Sequence, residues 1–142
     1  MDRAIKVDEV QVINWLLDHA LVDVTAYRPH PADELRVVRE CGCGCASLYF
    51  KLETGNLERL ADELAVYPDG QHAGLMLWGR QGEIVLLEVY DFEPESSHRF
   101  PELSNLCTWE ELGPRDLEHT KREHEKALAE LANPPTATEG AI

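Results

Sequence analysis

Long apolar runs are missing from this chain. No stretch approaches the roughly 20 residues that a bilayer span requires, and Met1-Asp-Arg-Ala-Ile-Lys6 does not begin an apolar segment of signal-peptide length. The expectation is therefore a cytoplasmic protein with no membrane partner. Basic residues are scarce as well: 13 Lys and Arg stand against 27 Asp and Glu, a formal net charge of -14. Such a charge repels phosphate backbones and anionic lipid, which argues against nucleic acid as a ligand. The acidity is spread along the chain, with 16 acids against 8 bases before Phe92 and 11 against 5 after it. It reads either as a solvated surface or as attraction to a basic protein partner. No phosphate-binding loop, Gly-x-Ser-x-Gly elbow, His-Glu-x-x-His pair or dinucleotide glycine pattern is present, so nothing in the motifs points to an enzyme.

The chain has 142 residues, 44% of them hydrophobic and 28% charged, which suits one folded domain with its own core. Asp8 and Gln11 have capping-box spacing, with Val7 and Val12 placed as a hydrophobic staple. Val10, Ile13, Leu16, Leu17, Ala20 and Leu21 then recur at helical steps, predicting a helix that ends near Leu21 or Val22. Arg28-Pro-His-Pro31 breaks the chain into a loop. Leu35 to Glu40 reads as a strand, and Ala46, Leu48, Phe50 and Leu52 alternate with a wetter Ser47, Tyr49 and Lys51. Leu57, Leu60, Ala61 and Leu64 suggest a short helix over 56–64, and Pro68-Asp-Gly70 a turn. Ala73 to Gly79 and Glu83 to Phe92 form a hairpin through Arg80-Gln-Gly82.

In the second hairpin strand Val85, Leu87 and Val89 share one face by parity, and Ile84, Leu86, Tyr90 and Phe92 the other. Both faces need cover, from a helix or from a second subunit. A long connection over 93–113 leads to a helix from Pro114 to about Ala132, whose inner stripe of Leu117, Thr120, His124, Leu128 and Leu131 is thin. Residues 133–142 have the composition of a flexible tail. The predicted fold is α+β, residues 1–132 forming one domain. About four antiparallel strands in hairpin order stand between an N-terminal and a C-terminal helix.

Cys41-Gly-Cys-Gly-Cys45 is the segment composition does not predict. Closely spaced thiolates chelate soft ions, so Cys41, Cys43 and Cys45, completed by Cys107 or a histidine, form a candidate zinc or copper site. The same cysteines also suit a redox pair or small side chains in a tight turn. Glu88, in the middle of an apolar strand, is a candidate acid or base if buried, or a wet-face residue if not. Asp91 falls on the opposite face by parity. His98 beside a thiol would make a nucleophile pair. Trp15, Trp78 and Trp109 read as core and rim.

The run Leu35-Arg-Val-Val-Arg-Glu-Cys-Gly-Cys-Gly-Cys-Ala-Ser-Leu-Tyr-Phe50, followed by Gly82-Glu-Ile-Val-Leu-Leu-Glu-Val-Tyr90, resembles a group of small bacterial proteins without an assigned activity. The resemblance covers roughly residues 8 to 103 and implies a compact α+β domain, with no catalytic residue carried over. The function expected from the residues is a non-enzymatic binding or regulatory domain, with a homodimer as one form of it. It would engage a basic protein through its acidic surface or the second face of its sheet. The alternatives are a metal or thiol protein built on the cysteines, and a small-molecule enzyme using Glu88.

Overall fold

A computed structural model describes residues 2–28, 31–40, 46–92 and 99–111, together with 121, 122, 124–126, 128 and 129. Helix α1 spans Val7–Asp18. It starts before the expected cap: the Lys6 backbone N–H donates to Glu9 Oε1 at 2.8 Å, so Glu9 rather than Gln11 closes the first turn. Val7 is 77% exposed, so the expected staple with Val12 does not form. The helix also ends earlier than its apolar pattern suggests. Leu21 has left it, and its N–H donates to the Leu60 carbonyl at 2.8 Å.

The described strands are β1 (Arg3–Ala4), β2 (Arg36–Val37), β3 (Arg39–Glu40), β4 (Leu48–Tyr49), β5 (Glu58–Val66), β6 (His72–Arg80), β7 (Glu83–Asp91) and β8 (Leu106–Cys107). β1 and β2 pair as a small ribbon, and the others form one antiparallel sheet in the order β3-β4-β7-β6-β5-β8. The mixed α+β class therefore holds, while about four strands becomes a six-stranded sheet. Hairpin order applies to β3–β4 and to β5–β6–β7, but β4 joins β7 and β8 returns beside β5.

The added long strand is β5, which replaces the short helix expected over 56–64. Its apolar residues come as the pairs Leu60-Ala61 and Leu64-Ala65, a spacing that imitates a helical stripe. A bulge between Arg59 and Ala61 and cover on both faces let all four be buried in a strand. The β6–β7 hairpin forms as expected. Gln81 and Gly82 both take positive φ, 52° and 81°, in the two-residue turn that matches strand twist. Pro68-Asp-Gly70 likewise makes the β5–β6 turn, with Gly70 at φ 88°.

Register assigns the faces. Ala61, Ala65, Leu75, Leu77, Leu87 and Val89 lie on one face and pack with Val12, Ile13, Leu16 and Leu17 of α1. Full burial of each large side chain contributes about 1.5–3 kcal/mol, so this first face is the main core. Ile84 belongs to it too, contrary to its parity, because the register shifts between Trp78 and Gly79. Ser47, expected on a wet face, is 4% exposed. Its hydroxyl accepts from Val89 N–H at 2.9 Å and donates to Val89 C=O at 3.1 Å, extending the β4–β7 ladder by a side chain.

The second face carries Met76, Tyr90 and Phe92, with Trp78 partly buried beside them. The C-terminal helix lies over it. We term this helix α2, its described residues falling between 121 and 129. Among them His124 and Leu128 point inward, while Lys121, Arg122, Glu125, Lys126 and Ala129 are exposed. The connection before it is not wholly irregular, since β8 pairs with β5 as Leu64↔Cys107 and Ala65↔Leu106. The start of α2 at Pro114 and the tail at 133–142 lie outside the described residues. No described helix is long and apolar enough to cross a membrane.

Candidate functional site

Cys41, Cys43 and Cys45 lie outside the described residues, as does His98. Their segment joins β3 to β4 at one end of the sheet, whereas Cys107 sits on β8 at the other. Five inter-strand spacings separate β3 from β8, about 24 Å along the sheet. The Cys107 thiol donates to Thr108 C=O at 3.3 Å, and burial, then the Glu111 and Glu63 carboxylates, hold its pKa above the ordinary thiol range. It is thus kept as a thiol. No group of three or more His, Cys, Asp or Glu suited to a metal ion occurs among the described residues.

The polar side chains that do converge lie on the second face. Register puts Asp62 opposite Met76, and Met76 opposite Glu88, on adjacent central strands. Tyr90 is opposite Gly74, where a methyl group would overlap the phenol ring; glycine there lets the ring lie across β6. The Tyr90 hydroxyl is hydrogen-bonded to His124 Nδ1. On its other side His124 Nε2 lies 3.3 Å from Asp62 Oδ2, which Arg59 Nη1 also approaches at 3.3 Å. Trp109 packs against the imidazole with ring centroids 4.8 Å apart.

The Tyr90 hydroxyl and the Asp62 carboxylate thus face the two ring nitrogens of one imidazole. Burial, followed by the charges of Asp62 and Glu88, raises the Tyr90 pKa far above the usual phenol value, so the hydroxyl remains a donor. Asp62 Oδ1 is buried without a hydrogen-bond partner among the described residues. Each ring nitrogen of His124 therefore faces a polar group of the sheet, Tyr90 on β7 and Asp62 on β5.

Glu88 occupies the same face. Its carboxylate is largely buried, and burial raises its pKa, partly offset by the Trp78 indole N–H, which donates to Oε1 at 3.0 Å. No cation lies within ion-pair distance of it among the described residues. Asp91, opposite Ala73, is on the first face, so the two carboxylates are separated by the sheet as parity predicts. Glu63 on the first face is a second carboxyl with a raised pKa, from burial opposed by the Trp109 backbone N–H that it accepts at 3.1 Å.

Sequence reasoning singled out Glu88 and placed His124 on the inner stripe of α2, but it missed Asp62 and Tyr90. Asp62 was hidden by reading β5 as a helix. Tyr90 carried a usable signal, a tyrosine on the least-covered face of an apolar strand that pairs with a glycine-bearing strand. The chain matches no family, no curated protein and no solved structure.

Proposed function

We propose that this chain is a non-enzymatic acidic domain that binds a basic protein. The observation that carries the reading is Glu88, a largely buried carboxylate whose described partner is a single indole N–H. Burying a carboxylate with so little compensation is costly, and an incoming cation would relieve that cost. The net charge of -14 supports the reading, because it attracts basic partners over distances limited by salt screening. The polar groups on the second face support a binding role over a reaction, since Tyr90, His124 and Asp62 face one another there.

The test is capture from a lysate on the immobilised chain at low salt, elution by raised salt and identification of the eluted proteins, with light scattering on the free chain. Basic proteins that elute with salt, and that the Glu88→Gln variant retains less well, are the expected result. Nothing retained, and a monomer at all concentrations, would remove the proposal.

A further inference from the structure

We propose that Asp69 is a site of spontaneous isomerisation to isoaspartate, and that Arg99, reaching across from the connection to β8, guards it. Of the aspartates and asparagines in the chain, Asp69 alone is followed by glycine. A residue without a side chain leaves its amide nitrogen unhindered as a nucleophile. Pro68, Asp69 and Gly70 are exposed at the tip of the β5–β6 hairpin, where water reaches the carboxyl group freely. The Gly70 nitrogen attacks Asp69 Cγ, gives up its proton and expels one carboxyl oxygen as water, closing a five-membered succinimide. Water then adds to either ring carbonyl. Opening at one regenerates aspartate, and opening at the other leaves the main chain running through the former side chain, as isoaspartate. One water leaves and one enters, so the mass is unchanged and no reagent besides water is consumed.

The fold opposes the first step at both reacting groups. Gly70 N–H donates to Tyr67 C=O at 2.9 Å, which holds the nitrogen in the turn. Asp69 Oδ1 accepts the Gln71 backbone N–H at 3.0 Å, and Arg99 Nη2 lies 2.9 Å from both carboxylate oxygens. These partners, Gln71 and then Arg99, hold the Asp69 carboxyl below its ordinary pKa. An ionised carboxylate is a poor electrophile, because no oxygen can leave as water until it is protonated. Arg99 is itself held in place. Its guanidinium lies 3.8 Å over the Tyr67 ring, Nη2 donates to Gln71 Oε1 at 3.3 Å, and its carbonyl accepts from Tyr67 O–H at 3.2 Å. Isomerisation adds a methylene to the backbone of a turn closed by Gly70 N–H to Tyr67 C=O and by Tyr67 N–H to Gln71 C=O, each at 2.9 Å. It also moves the carboxylate that Arg99 grips, so the modification loosens the clasp between this turn and the connection to β8.

The experiment incubates the full chain in warm neutral buffer and measures isoaspartate in the peptide that carries Asp69 by mass spectrometry after digestion. Methyl transfer by an isoaspartyl carboxyl methyltransferase is the second readout. Tryptophan fluorescence verifies that each variant is folded, and the urea-unfolded chain gives the unguarded rate. The folded parent should isomerise at Asp69 more slowly than the unfolded chain. Arg99→Ala should raise the folded rate about two- to fivefold, the factor that loss of one exposed ion pair supplies, and Arg99→Lys should restore most of the protection. Raised salt should speed the reaction in the parent, by screening the same pair, which gives a test that does not require a variant to fold. An unchanged rate in folded Arg99→Ala, or in the parent at raised salt, would overturn the guard. No isoaspartate at Asp69 in either folded protein would overturn the site.

Discussion

Replacing Glu88 by Gln tests whether the second face holds an uncompensated charge. The amide keeps an oxygen to accept the Trp78 N–H and removes the ionisation. Because burial raises the pKa of Glu88 in the folded chain, the folded state binds more protons than the unfolded state above the unfolded carboxyl pKa of about 4.3. Its contribution to stability is therefore greatest below that pH and is lost as pH rises through the raised folded value. The desolvation of a polar group with one remaining hydrogen bond, taken from mutational scales, is about 1–3 kcal/mol. We expect Glu88→Gln to be more stable than the parent by about 1–2 kcal/mol at pH 8, within that range. The advantage should shrink toward zero below pH of about 4.3. In a thermal melt at pH 8 the difference corresponds to a rise of roughly 3–8 °C for a chain of this size. Urea unfolding followed by tryptophan fluorescence at several pH values measures it directly. Glu63, also raised by burial, adds a slope of the same sign in both proteins and cancels in the difference. A Glu88→Gln variant less stable than the parent at pH 8 would show that the charge is compensated in the folded chain, and would remove the argument for a cation-seeking face.

Further substitutions probe the rest of the structure. Gly74→Ala should push the Tyr90 ring off β6 and break its bond to His124, costing about 2–3 kcal/mol; in a Tyr90→Ala background the same change should cost far less, a non-additivity read from a double-mutant cycle. Ser47→Ala should cost about 1–3 kcal/mol in urea unfolding by leaving the Val89 N–H and C=O without their side-chain partner. If Cys41, Cys43 and Cys45 bind zinc or copper, elemental analysis should show stoichiometric metal that is lost in Cys43→Ser and kept in Cys107→Ser, because the sheet order puts β8 at the opposite edge from β3.

What the sequence determined by itself was whatever depends on short-range chemistry. The glycine at position 82 and the residue before it specified the β6–β7 turn, since only that backbone conformation continues the strand twist. The helical spacing of Ile13, Leu16 and Leu17 specified which face of α1 is buried, whereas Leu21 of the same pattern is exposed. The two-sided apolar character of β7 correctly implied a second cover. Tertiary structure decided the remainder. Leu60 and Ala61 are compatible with a helix or a bulged strand, and pairing with β6 selected the strand. The position of Ile84 was reversed by a register shift that no alternation pattern contains. Ser47 became buried because Val89 offered it both a donor and an acceptor, from a strand 42 residues further along the chain. The polar chain of Tyr90, His124 and Asp62 joins three elements far apart in sequence. Its members are ordinary residues locally, and only the packing of α2 across β5 and β7 makes them one network.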